Sequence, residues 1–444
     1  MPAQSGASQT SMSGMRSIAR EIFLHALAES SIEKAFERHV EYGRGVLRIG
    51  EDLHDLRNYN RVRVVSLGKA AHAMAEALAG KVGSGLEGIV ACVADPPAQV
   101  PGFRYFRGGH PTPNAGSVRA GEAILRMLEA LDERSLALHM ISGGGSAIVE
   151  KPITDTISLD DLIATYRELV LSGAPIAEIN AVRKHLSATK GGRLARAAAP
   201  AQQVSILISD VPDNASDSLA SGPTMADSTT VEDCYAIIQK YGLLERFPAS
   251  LRELIQQRAL EETPKKDDPA FARSRWWMIL TNETAVKAAA VQAKAAGFTV
   301  EVDSRCDDWD YRRAADYLLD RLRELRQKSQ RVCLASGGEI TVRVEGKSGR
   351  GGRNQQFVLY LAPKIAGENI CVLSAGTDGI DGHSPAAGSV ADGSTVERAR
   401  TLGLDPAAAL NGFDAHPLFK ALGDTIETGP TGTNVRDVRL LMAW

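Results

Sequence analysis

Runs of β-branched and aliphatic residues that stop at a glycine or a polar residue, each followed by an alanine-rich or glycine-rich stretch, recur along this chain. No other feature restricts its fold as much. The clearest units are "RVRVVSLGKAAHAMAEALAG", "LALHMISGGGSAI", "QQVSILISDVPDN", "WWMILTNETAVKAAAVQAKAAG", "RVCLASGGEITVRVEG" and "NICVLSAGTDGIDG". A short apolar run bounded by turn residues reads as a buried strand, and strands alternating with helices predict an α/β fold built on a parallel sheet covered by helices. In open sheets of this kind ligands bind beyond the carboxyl ends of the strands, so the loop that closes each unit is where chemistry is expected.

At 444 residues the chain is too long for one ordinary core, and two or more domains are expected. The stretch "LEETPKKDDPAFARS", residues 260–274, is polar, charged and proline-containing, which suggests a boundary. The expectation is a disordered tail over 1–14, where "MPAQSGASQTSMSG" is small and polar, a first α/β domain over 15–262 and a second, smaller one over 275–444. The formal net charge of -3 provides no electrostatic footprint for nucleic acid or an anionic membrane. No apolar run approaches the roughly 20 residues needed to cross a bilayer. Five scattered cysteines without a C-x-x-C pair favour a reduced, cytoplasmic protein. Nine histidines without metal-site spacing, and no H-E-x-x-H, argue against a catalytic zinc.

The loops divide by chemistry. In "HMISGGGSAIVE", Gly143, Gly144, Gly145 and Ser146 join a strand to a candidate helix start. Bare backbone there would let N–H groups cradle a phosphate, and a tight turn without ligand is the alternative. Lys69 in "SLGKAA" opens a helix, where a cation is mildly disfavoured, so a functional reading competes with a merely solvated one. This is not a P-loop, because Arg63 and Ala70 stand where that motif needs glycine and Ser or Thr. Asp210 ends "VSILIS" and leads into a loop carrying Asp213, Asn214, Asp217 and Ser221. A carboxylate there can hold magnesium or accept a hydroxyl proton, and a turn or cap role is the alternative. Arg350 and Arg353 sit among glycines ahead of an apolar helix, a pattern that suits a carboxylate or phosphate clamp. Asp378, Asp381, His383 and Asp392 in the acidic, glycine-rich "AGTDGIDGHSPAAGSVAD" suggest a metal or polyol contact against a plain turn. Arg183, Lys184, His185 and Lys190 form a cationic stretch broken by "KGG", either a solvated face or an anion contact. His110 in "GGHPTPN" sits on a stiff loop, as a hydrogen-bonding spacer or a catalyst.

Taken in order, "SLGKAA", "GGHPTPN", "ISGGGSA", "NAVRKHLSATKGGRLA", "LISDVPDN", "SGPT", "SGGE", "GRGGRNQ", "AGTDGIDG" and "TGPTGTNV" resemble the class II glycerate kinases, whose C-terminal portion is called the MOFRL domain. The resemblance runs from about residue 15 to the end. It implies a Rossmann-like first domain, a smaller C-terminal α/β domain, and ATP-dependent phosphorylation of glycerate with magnesium, favouring D-glycerate and its 2-hydroxyl. Lys69, Asp210 and Arg353 are then the expected catalytic residues. Gly143 to Ser146 and Lys190 are expected on phosphate, Arg350, Arg353 and Asn214 on substrate, and Asp210 with Asp378 on the metal. Partners would be ATP and glycerate, with no nucleic acid or membrane, and a homodimer is one candidate assembly. One departure stands out: Gln356 follows "GGRNQ", where family members commonly have an acid. A nicotinamide-dependent hydroxypyruvate reductase is the competing activity, but G-x-G-x-x-G laid on Gly143 and Gly145 meets Ile148 at its third position. A sensor without catalysis is the remaining alternative.

Overall fold

A computed structural model of the chain describes residues 5–211, 218–344, 346 and 349–444. Asp213, Asn214 and Asp217 lie outside the described residues. The chain divides into two compact units, Ala35–Ile279 and the discontinuous pair Met1–Lys34 with Leu280–Trp444.

The first unit opens with an antiparallel meander, β1 (Val40–Gly43), β2 (Val46–Ile49) and β3 (Asp52–Asp55). Its main sheet contains β4 (Arg61–Leu67), β5 (Glu87–Cys92), β6 (Phe103–Arg107), β7 (Ser135–Ile141), β8 (Gln202–Ile208) and β9 (Ser274–Leu280), in the order β6-β5-β4-β7-β8-β9. The pairs β5–β6, β4–β5, β4–β7 and β7–β8 are parallel. Counted within the sheet, this is the order 3-2-1-4-5-6 of a doubly wound fold, with its switch point between β4 and β7. Every residue of β7 is buried, as expected of a strand covered on both faces. That includes His139, which burial lowers to about 4, so it stays neutral in the sheet.

The second unit contains β10 (Thr299–Val302), β11 (Val332–Ser336), β12 (Ile370–Gly376), β13 (Gly388–Asp392), β14 (Thr425–Ile426) and β15 (Asp437–Ala443), in the order β10-β11-β15-β12-β13-β14. Only β10–β11 is parallel. The C-terminal strand β15 inserts between β11 and β12 and runs antiparallel to both. The parallel sheet expected from the strand–helix rhythm is therefore the first unit's, and the second unit's sheet is mixed.

The compact units differ from the expected domain limits in two places. Residues 5–14, expected as disordered tail, belong to the helix Ser5–Glu29. Ala19, Ile22, Phe23 and Ala26 of that helix are buried, and it packs on the helix Asn282–Ala295 and on β12. Arg16 pairs with Asp392, and Arg20 donates to Thr425 O at 2.7 Å. The N-terminal helix thus joins the second unit rather than opening the first. The stretch 260–274 is not the boundary either. Its polarity is consumed internally: Thr263 Oγ1 donates to Asp227 at 2.9 Å, Arg273 O accepts from Gln203 N at 2.9 Å, and β9 returns to complete the first sheet.

Candidate active site

β4 and β7 end in step, Leu67 opposite Ile141, so their loops begin level. The loops are joined by hydrogen bonds. Ser142 N–H donates to Leu67 O (3.0 Å), Lys69 N–H to Gly143 O (2.9 Å) and Ala70 N–H to Ser142 Oγ (3.0 Å). This leaves Lys69 exposed just ahead of the helix Ala71–Val82.

Each glycine of the 143–145 turn surrenders its Cβ to a particular neighbour. A Cβ on Gly143 would overlap the Asp210 carboxylate. On Gly144, at φ +81°, it would lie 3.0 Å from His110 Cδ2 and 3.1 Å from Lys69 Cγ. On Gly145 it would strike Leu67 and Ala220. The turn is bare because Asp210, Lys69 and His110 crowd around it, and the same crowding gathers these three ionisable groups. Burial, with the Lys69 ammonium beside it, lowers His110 from its ordinary range. Ser146 Oγ and Ser221 Oγ share a hydrogen bond of 2.8 Å, and Ser221 is buried at φ +61°. The helix that follows is only Gly145–Ile148. A single turn has little macrodipole, so anion affinity here would come from local N–H groups, Lys69 and the bare backbone rather than from a helix terminus.

Lys190 does not join this cluster at a surface. It is 1% exposed, and its ammonium donates to Glu150, which also accepts from Ser187 and from Tyr166 Oη (2.9 Å). Lys184 is equally committed, to Asp227 at 3.1 Å, and His185 is buried between Ala181 O and Glu262. The cationic stretch is thus an internal network, because the last turn of its helix Ile176–His185 is buried at Lys184 and His185 where sequence alone leaves it open. The "KGG" break is a clamp: Gly191 N–H donates to Ser221 O (3.0 Å) and Gly192 N–H to Gly222 O (2.7 Å). It braces the segment that meets Ser146.

In the second unit Arg353 begins the helix Arg353–Leu361. Rather than a free clamp, its guanidinium is held by Asp437 (Nε at 2.7 Å, Nη2 at 3.0 Å) and by Glu339 (2.8 Å). These carboxylates outweigh burial and raise its pKa. The helix start is likewise filled. Asp381 accepts from the N–H groups of Asn354 (3.0 Å) and Gln355 (2.9 Å) and from both side-chain amides. Asp381 is therefore a cap, although burial raises it to about 6 against those donors. Arg350 is exposed and its backbone N–H donates to Asp414 at 2.6 Å. Asp378 accepts from Ile380 N–H at 3.1 Å. Glu339 and Asp437, the partners of Arg353, were not foreseen; "SGGE" was visible as a motif, but nothing local marked Asp437.

Among the described residues no three His, Cys, Asp or Glu side chains form a metal cluster. Magnesium does not require one, since it is commonly held by one or two carboxylates with substrate phosphates and water. Asp210, against the bare backbone of Gly143, fits such a role.

A doubly wound unit with ionisable groups gathered at its switch point, followed by a mixed-sheet unit, defines a two-unit α/β enzyme. The chain belongs to the MOFRL family of glycerate kinases. Residues 18–256 match the family described as a domain of unknown function, DUF4147, and residues 332–437 match the MOFRL family. The D-glycerate 2-kinase of Thermotoga maritima is 35% identical over 86% of this chain and 90% of its own length. A protein of Agrobacterium vitis named, provisionally, a hydroxypyruvate reductase is 38% identical over 86% of this chain and 87% of its own. A crystal structure of glycerate kinase from Thermotoga maritima superposes with a TM-score of 0.85 at 32% identity, covering 97% of this chain and 100% of that one.

Proposed function

We propose that this protein is a cytoplasmic kinase that transfers the γ-phosphoryl group of ATP to the 2-hydroxyl of D-glycerate, giving 2-phosphoglycerate and ADP. The observation that carries the site is the gathering of Lys69, His110 and Asp210 around the 143–145 turn. Phosphoryl transfer demands positioning and charge neutralisation more than covalent help from the protein. Asp210 orients the acceptor hydroxyl and takes its proton as the new O–P bond forms and the bond to ADP breaks. Lys69 neutralises charge on the moving group, and the backbone of Gly143 to Ser146 receives phosphate oxygens. Arg350 and Arg353 serve the anionic substrates, Arg353 through the donors that Asp437 and Glu339 leave. Magnesium would be held by Asp210, with Asp378 as the second candidate, and supplies charge neutralisation on the phosphates when bound.

Beside the resemblance, the substrate's own rotatable bonds favour the 2-hydroxyl. A guanidinium holding the carboxylate fixes the neighbouring hydroxyl within a narrow arc, whereas the 3-hydroxyl keeps one more rotatable bond. The reductase reading is weaker: the strand order suits a dinucleotide, but Ile148 stands where the phosphate-binding turn needs its last glycine. The deciding experiment couples the product to enolase without phosphoglycerate mutase, beside an NADH-oxidation assay with hydroxypyruvate. Direct enolase turnover is expected. A requirement for mutase overturns the 2-position, and NADH consumption without ATP-dependent product overturns the kinase.

A further inference from the structure

The second unit contains a cavity of about 410 Å³ beside Arg353. Its apolar lining comes from Ile340, Val342, Val344 and Phe413. The floor is main chain at Gly349, Gly351, Gly352 and Gly382, and Arg353 stands at its lining. The glycines bring bare backbone to the surface of the cavity, where a flat ring can lie close. Val344 is 43% exposed, a large aliphatic residue left facing solvent beside an apolar wall. Phe413 holds φ +49°, a conformation costly for a bulky residue and tolerated where structure or ligand requires it.

Charge sets this cavity apart. The four other cavities described, at 350 to 850 Å³, are each lined by at least one carboxylate: Glu122 and Glu261, Glu87, Asp405 and Glu397. All five have arginine in their lining, and this one alone among them has no acid there. Its volume lies within the range of about 300–1,000 Å³ usual for small-molecule sites and far exceeds what a three-carbon acid fills. Apolar walls and bare backbone suit a planar ring system.

We propose that this cavity takes the nucleoside half of ATP, base against Val342 and Phe413, with the phosphate chain leaving past Arg353. The proposal rests on the kinase reading and adds the location of the nucleotide's base. Gln356, which also lines the cavity, is fixed in place by donating its amide to Leu410 O at 2.8 Å.

The test uses the full chain and two variants. Phe413→Gly removes the ring while suiting the positive φ, and Val342→Arg fills the apolar wall. Titration with N-methylanthraniloyl-ADP is expected to show affinity weakened tenfold or more in both variants. KM for ATP should rise in parallel, with KM for glycerate within about twofold of the parent. Unchanged nucleotide affinity, or a rise confined to the KM for glycerate, overturns the proposal. Should both variants fail to fold, Phe413→Trp decides: its emission must change on addition of ADP, and a flat response overturns the assignment. A parent protein that binds the fluorescent nucleotide yet phosphorylates no glycerate refutes the kinase reading while leaving the cavity assignment standing.

Discussion

The 142–146 turn and the 349–352 loop read alike, glycines beside a cation at a helix start, and they are built for opposite ends. In the first, the missing Cβ atoms make room for side chains, the Asp210 carboxylate at Gly143 and the Lys69 and His110 side chains at Gly144. In the second they make room chiefly for backbone and fixed carboxylates. Gly349 packs on Asp414, Gly352 on Asp381, and Gly382 on the main chain of Gly351. That loop's polar groups are consumed by Gly412 O, the Asp414 carboxylate, His416 N and His383 N. The cations follow suit: Lys69 has no carboxylate partner among the described residues, whereas Arg353 has two. A cation beside glycines offers its whole charge to a ligand only where the chain does not itself supply the anion.

Lys190 and Lys69 give that distinction its sharpest test. Lys190→Met leaves Glu150 as an unpaired carboxylate in a dry interior, and a loss of about 3–5 kcal/mol in urea unfolding is expected. The double variant Glu150→Gln/Lys190→Met should recover most of it, because both charges go together. A single variant as stable as the parent would mean that Lys190 is not the internal ion that its burial implies.

Lys69→Ala should behave in reverse. Stability is expected to stay within about 0.5 kcal/mol, as for an exposed side chain, while kcat/KM for the kinase reaction falls by about 3–4 kcal/mol, the usual size for an electrostatic donor to a transition state. Steady-state kinetics beside a melting curve separate the two readouts. Near-normal turnover in a folded Lys69→Ala protein would remove the contrast with Lys190.

The loops themselves can be set against each other. Gly143→Ala drives a methyl group into the space of the Asp210 carboxylate, which is only partly buried. Turnover should drop at least tenfold with the melting temperature little changed. Gly349→Ala presses on Asp414 in a loop tied down on several sides, and a stability loss of about 1–3 kcal/mol is expected from such overpacking. Equal effects of both changes on both readouts would dissolve the distinction.

Sequence made the first unit's candidate site largely legible as a cluster, because Lys69, Gly143 to Ser146 and Asp210 all follow buried strands whose apolar runs are unmistakable. A strand's end is written locally, and a doubly wound sheet turns such ends toward one edge. What stayed hidden is decided at long range. Arg353 meets Asp437 from a strand at the far end of the chain, inserted between β11 and β12. Lys190 meets Glu150 from 40 residues away in a buried network, and the helix Ser5–Glu29 finds its apolar partner beyond residue 280. Neither periodicity nor spacing encodes such pairings. The polar stretch 260–274 misled for the same reason: its charges look solvated until their partners are placed.

Acid titration gives the smallest and most local check on the idea that the second unit's charges are consumed internally. Asp303, 5% exposed at the end of β10, is held down to about 2 by the Arg305 guanidinium (2.6 Å), against the opposing effect of burial and with help from Tyr317 Oη (2.6 Å). Its folded pKa lies below the unfolded value near 3.9, so the folded state binds fewer protons between the two. The stability that this pairing contributes, at most about 2 kcal/mol, is therefore fully present above pH 4 and is lost as pH falls through about 2. Asp303→Asn should be less stable than the parent at pH 6, and the difference should shrink below pH 4 in parallel denaturant titrations. A difference independent of pH would assign the loss to packing or to the Arg305 side chain alone, and would place Asp303 outside the set of carboxylates that this unit uses to hold its own arginines.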